Sequence, residues 1–221
     1  MSIPPASWAA EELAPPQGVL SLTSSASVEV PRDLLTLTFA TSREGPDAAT
    51  VQSQLKQALD AALTEARRVA RPGEVEVQTG NFSLSPRYVK GLVNGWQGST
   101  ELIVEGRDMA AIGQLSGRVT TLTIARVGYA ISRSLRERTE ADASTQAIAR
   151  YRAKAADYAR AFGYAGFAIR EVNVSANDAP PTMRPMPAGM VRMASVEEAL
   201  PVEAGKGTVT VTVQGTVQMT R

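Results

Sequence analysis

Four methionines, Met183, Met186, Met190 and Met193, stand three, four and three residues apart in one proline-rich stretch. Thioethers are soft donors that select Cu(I), and oxidation to the sulfoxide is reversible. This spacing therefore points to soft-metal or oxidant-scavenging chemistry. A packing role competes with it, because a stretch broken by proline cannot hold a helical face and methionine readily fills irregular apolar gaps. Carboxylates come next. Glu11-Glu12 and Glu197-Glu198 are sequence neighbours in loop-like stretches, which suits solvation better than catalysis. Glu137, Glu140 and Asp142 crowd the expected start of a helix, where negative charge complements the dipole. A catalytic pair would have to converge from separate elements. Seven basic residues, Arg133, Arg136, Arg138, Arg150, Arg152, Lys154 and Arg160, gather around that same helix. Acidic residues interleave them and few aromatics stand between, so a solvated face is expected rather than a nucleic-acid surface. Tyr88 and Trp96 flank the tip of an expected hairpin and are candidate interface anchors.

The 221 residues contain no histidine and no cysteine. That removes the commonest general base, imidazole triads, thiol nucleophiles, disulfides and the usual zinc ligands. No enzyme and no cofactor is expected. The 23 basic residues nearly balance the 22 acidic ones, which gives no reason to expect a nucleic-acid or anionic-membrane partner. No run approaches the roughly 20 apolar residues of a membrane helix. Residues 1–17 hold Pro4, Pro5, Pro15 and Pro16 around Trp8 and read as a flexible leader, such as remains once an export signal is removed.

The elements that must position these residues are legible from their periods. Leu20, Leu22, Ala26, Val28 and Val30 alternate with serine, threonine and glutamate, the period of a half-buried strand. After Pro31-Arg32-Asp33, Leu35, Leu37 and Phe39 repeat the pattern, and the two strands are expected to form a hairpin. Val51, Leu55, Leu59, Ala62, Ala66 and Val69 make a helical stripe, with Asp47 in the first turn and Arg71-Pro72-Gly73 as its end. From Glu74 to Tyr88 the inward parity switches near Gly80-Asn81, which predicts a β-bulge. A polar turn over Lys90 to Gly95 follows, and the strand returning from it carries Trp96, Thr100, Leu102 and Val104 on one face. Asp108 is placed to cap a short helix ending near Val119. Leu122 to Ser132 reads as a strand with a parity shift between Ile124 and Val127. A long helix runs from about Leu135 to Phe162, with Ile148, Tyr151, Ala155, Tyr158 and Phe162 as its stripe and Gly163 as its terminator. Phe167 to Ala176 is a strand. Residues 177–207 form a long Pro/Met-rich loop, which compact domains rarely carry without a use. Alternating valines from Val209 to Val217 close the chain. The order β-β-α-β-β-α-β-α-β-β contains the ferredoxin-like βαββαβ series plus a helix and further strands. An α+β fold follows, mainly antiparallel sheet with helices on one face, and residues 18–221 show no convincing internal domain boundary.

Several of these segments together resemble the SIMPL-domain family. They are the opening strand Gly18-Val19-Leu20-Ser21-Leu22-Thr23, the strand Leu35-Thr36-Leu37-Thr38-Phe39, and Val77-Gln78-Thr79-Gly80-Asn81-Phe82-Ser83-Leu84-Ser85-Pro86-Arg87-Tyr88, which matches a Thr-x-x-Phe-x-Leu-x-Pro-x-Tyr pattern. The helix Tyr151 to Phe162 with Gly163, the Pro/Met loop, and Gly207-Thr208-Val209-Thr210-Val211 complete the series. Thr120 to Arg126 departs from it, being shorter and less glycine-rich than is usual. The resemblance implies an exported, periplasmic protein of the bacterial cell envelope. Family members have been linked to oxidative-stress defence or surface antigenicity, and some assemble into large hollow homo-oligomers. It carries over no catalytic residues.

Overall fold

A computed structural model describes residues 18–177 and 203–221. Seven strands and three helices follow the expected order: β1 (Val19–Pro31), β2 (Leu34–Gly45), α1 (Ala48–Arg67), β3 (Val75–Val89), β4 (Leu92–Gly106), α2 (Met109–Arg118), β5 (Thr123–Ala130), α3 (Arg133–Ala161), β6 (Gly166–Asn177) and β7 (Lys206–Thr220). The fold is α+β, with the strands in two antiparallel sheets ordered β3-β4-β2-β5 and β1-β7-β6. The described residues divide into two compact units, one of residues 28–139 and 203–209 and one of residues 18–27, 140–177 and 210–221.

The larger unit holds the four-stranded sheet. Its strand order, with α1 and α2 packed on one face, is the ferredoxin-like arrangement. Leu35, Leu37 and Phe39 of β2 meet Leu102 and Val104 of β4 beneath Ala58, Leu59, Ala62, Ile112 and Leu115 of the helices. Each fully buried side chain of this size contributes roughly 1.5–3 kcal/mol. Asp47 is the cap of α1 rather than part of its first turn, accepting the Thr50 amide at 2.8 Å. Asp108 caps α2 as expected, accepting the Ala111 amide at 2.9 Å. The expected β1–β2 hairpin does not form. Both edges of β2 are taken, by β4 and by β5, so β1 pairs elsewhere and lies beside β7.

The smaller unit combines the three-stranded sheet with α3. Met219 donates its amide to Gly18 at 2.8 Å, and the Ser27 and Thr210 hydroxyls meet at 2.9 Å, so β1 and β7 run antiparallel. β6 pairs with the other edge of β7. The α3 stripe differs from the expected one. Its buried residues are Ala143, Ala147, Tyr151, Ala155 and Ala159, spaced every four, whereas Ile148, Tyr158 and Phe162 are exposed. Small side chains in that row let the helix axis approach the sheet, and bulkier ones are left on the flanks. Gly163 ends the helix at φ +80°, donating to Arg160 O at 3.0 Å while Tyr164 donates to Ala159 O at 2.9 Å, which is a Schellman motif.

Candidate functional site

The β3–β4 hairpin brings the sequence-predicted aromatic pair into one element. Its turn is Lys90-Gly91, both at positive φ (50° and 80°), a two-residue loop whose twist suits a hairpin. This is tighter than the expected turn over 90–95, because Leu92 to Gly95 already belong to β4. The expected bulge is present. Gly80 and Asn81 together face Glu101, and a Cβ on Gly80 would stand 2.8 Å from that residue's Cβ. A second irregularity, which the sequence pattern did not show, lies on β4. There Asn94 and Gly95 face Arg87, and Gly95 at φ +97° would press a Cβ to 2.8 Å from Gly45 O.

These two offsets decide what the aromatics do. Trp96 lies opposite Pro86 and Gly45, half-buried, on the face that carries α1. Tyr88 is two residues on from Pro86 with no extra residue between them on β3, so it lies opposite Val93 on that same face, beyond the second offset and nearer the tip. The pair is separated along the ribbon, Trp96 half-buried and Tyr88 exposed at the tip. Tyr88 is 64% exposed, Leu92 75% and Val93 55%, with Val89 also exposed. Four neighbouring apolar side chains thus stand in water on both faces of a ribbon whose base is pinned by the Arg87–Glu44 ion pair. A cavity of about 510 Å³ opens beside that pin, lined by Glu44, Pro46, Arg87 and Val93. Lone exposed apolar residues need no explanation, but a contiguous group marks a contact surface.

The remaining candidate chemistry is dispersed. Met183, Met186, Met190 and Met193 lie outside the described residues, as do the leader, Glu11-Glu12 and Glu197-Glu198. Glu137 accepts from Arg133 at 2.8 Å and sits a turn inside α3 rather than at its start, since the helix begins at Arg133, two residues earlier than expected. The basic cluster is largely tied down locally. Arg160 pairs with Asp157, Arg138 donates to Ser134 O, and Arg150 and Lys154 donate to the Ser25 and Thr23 carbonyls.

On the open face of the four-stranded sheet, Ser42, Ser83, Ser85, Gln97 and Ser99 line a 260 Å³ depression, with the Ser83 and Ser99 hydroxyls 2.8 Å apart. A serine nucleophile needs an adjacent base; Glu44 also lines the depression, but among the described residues no base is hydrogen-bonded to either hydroxyl. Glu74, Glu76, Glu105, Arg107 and Arg133 edge another cavity of about 290 Å³. Among the described residues no group of three or more aspartate or glutamate side chains is placed to hold a metal ion, and the chain has no histidine or cysteine.

Asp33, which pattern reading passed over as a turn residue, is held by several partners. Its carboxylate accepts both the amide and the hydroxyl of Ser132 at 2.6 Å. Ser132 in turn caps α3, its hydroxyl accepting from the Leu135 amide at 3.3 Å. Burial alone would raise the Asp33 pKa, but the Ser132 hydrogen bonds, aided by Arg107 at 4.0 Å, hold it below the ordinary value. This group ties an interstrand corner to a helix terminus, and its partners Ser132 and Arg107 line the 290 Å³ cavity.

A family model for SIMPL, described as proteins of unknown function, matches residues 20–217. No curated protein matches the sequence. Among solved structures, the chain is similar to one named as an amidohydrolase/peptidase from Burkholderia cenocepacia, at 9% identity and a TM-score of 0.24, over 49% of this chain and 28% of that one. It is also similar to one named as an aminohydrolase from methicillin-resistant Staphylococcus aureus, at 16% identity and a TM-score of 0.25, over 51% and 32%. The chain thus spans about a third or less of the length of these proteins.

Proposed function

The chain belongs to the SIMPL family, and on that premise we propose that it works by contact rather than by catalysis, as a self-associating protein of the bacterial periplasm. The supporting observation is the hairpin tip, where Tyr88, Val89, Leu92 and Val93 are exposed together at the end of a ribbon of two 15-residue strands. Burying such side chains in a partner recovers roughly 25 cal/mol per Å² of apolar surface, and aromatic anchors of this kind commonly dominate interfaces. A periplasmic location is in keeping with a chain that has no thiol to protect, and the link to oxidative-stress defence follows the family resemblance. No helix among the described residues is long and apolar enough to cross a membrane.

Light scattering after size exclusion tests the assembly. At micromolar concentration the expected mass is a multiple of the 23.4 kDa chain, falling toward one chain in a Leu92→Asp/Val93→Asp variant with an unchanged melting temperature. A wild-type protein that runs strictly as a monomer defeats the reading. Fractionating the source cells addresses the compartment, and recovery in the cytosol alone would refute the periplasm. The methionine spacing supports a second reading, soft-metal binding in stress defence. Anaerobic Cu(I) titration of the wild type against Met186→Ala/Met190→Ala separates the two, since only a metal site loses affinity in the variant.

A further inference from the structure

The two edges of the β1-β7-β6 sheet are treated differently. In the β1–β7 pairing Gly18 O accepts from Met219, so even-numbered carbonyls of β1 face β7 and odd-numbered ones face outward. Two of those outward carbonyls, Thr23 O and Ser25 O, accept from Lys154 Nζ at 3.1 Å and Arg150 Nη1 at 3.0 Å. Covering an edge in this way stops another strand from adding to it. β6, the opposite edge, is 12 residues long and carries neither proline nor lysine. No bond like those of Arg150 and Lys154 reaches its backbone from the described residues.

The side chains of β6 are also incompletely covered. Ile169, Val172 and Val174 are 46–47% exposed, although they share a face with the fully buried Val217 and Val213 of β7. Ile169 lies opposite Val217, Val172 opposite Gly215 and Val174 opposite Val213. An odd-numbered and two even-numbered residues share this face because the register shifts between Ile169 and Glu171. Arg170 and Glu171 sit at the shift, both exposed and without an ion pair in the described structure.

We infer that β6 pairs antiparallel with β6 of a second copy about a twofold axis, Arg170 of each opposite Glu171 of the other, so that two three-stranded sheets become one of six. This register sets Ile169 opposite Val172 and Phe167 opposite Val174, joining apolar side chains on a single face, and it forms two opposite-charge pairs at the centre. A slip of one residue in either direction destroys the match. One slip places Arg170 opposite Arg170 and Ile169 opposite Glu171. The other places Glu171 opposite Glu171 and Ile169 opposite Asn173. The inference rests on the self-association reading and names a surface separate from the hairpin tip.

A cysteine-free chain makes the test direct. Residues opposite one another in an antiparallel pair lie within about 5.5 Å, inside disulfide range, whereas the same residue on two copies in this register is three positions offset, about 10 Å. An oxidised mixture of Ile169→Cys and Val172→Cys proteins is expected to give a covalent dimer on a non-reducing gel, and neither variant alone should. Arg170→Glu is expected to raise the dimer Kd at least about tenfold, and Arg170→Glu/Glu171→Arg to restore it. Equal cross-linking by a single variant would overturn the register. A protein that assembles by light scattering yet never cross-links would overturn the inference while leaving self-association standing. A strict monomer removes both.

Discussion

Asp33 and Ser132 show how one short polar contact can hold a corner and a helix terminus together. Asp33→Ala removes the acceptor for two bonds and leaves the hydroxyl of a nearly buried serine with one partner fewer, at a cost of about 1–3 kcal/mol in urea denaturation. The pH dependence has a definite sign. The folded pKa lies below the ordinary 3.8, so the contribution is full above that value and is lost as pH falls through the lower, folded one. Asp33→Asn is therefore expected to flatten the acid limb of the stability curve below about pH 4. Tyr151 is the opposite case. Its ring is buried and its hydroxyl has no hydrogen-bond partner among the described residues, while burial pushes its pKa up. Tyr151→Phe deletes a polar atom that no described residue satisfies, so thermal melts are expected to show unchanged or slightly raised stability, by up to about 1 kcal/mol. Asp33 was not legible beforehand because a turn aspartate looks the same whether or not its partner, 99 residues away, arrives.

Among the elements, strands and capped helices declared themselves through period and punctuation. The Gly80 bulge was visible because a parity switch leaves a trace in the hydrophobic pattern, and Asp108 because a cap precedes its helix by position. On α3 bulk does not track burial: of the expected stripe only Tyr151 and Ala155 are buried. Ile148, Tyr158 and Phe162 fit the helical period, yet the alanine row beside them is what the sheet accepts. Ala147→Leu is accordingly expected to cost about 1–3 kcal/mol, with Ile148→Ala nearly neutral, as chemical denaturation of the pair would show. If the substitutions ranked the other way, the bulky row would be the packed one. The offset at Asn94-Gly95 left no trace, since exposed residues near a tip carry no inside-outside signal. For that reason the pattern does not tell that Trp96 is half-buried while Tyr88, on the same face nearer the tip, is exposed.

For the whole molecule, an α+β arrangement with a ferredoxin-like series was readable from element order alone, while the division of seven strands between two sheets was not. Local pattern reports which residues are inside. It does not report which partner a strand will choose when both edges of its sequence neighbour are already occupied, as those of β2 are. The hairpin shows what the choice of register implies for chain length. Gly80 is one residue more than β4 requires on its side, and Asn94-Gly95 is one more than β3 requires on the other. The two surpluses are slack of opposite hand, and they cancel before the tip. Deleting Gly80 would draw β3 straight without everting a single side chain, whereas deleting Ser83 a few positions on would turn Leu84 and Pro86 out to water. The ribbon can therefore shorten at its glycines and almost nowhere else.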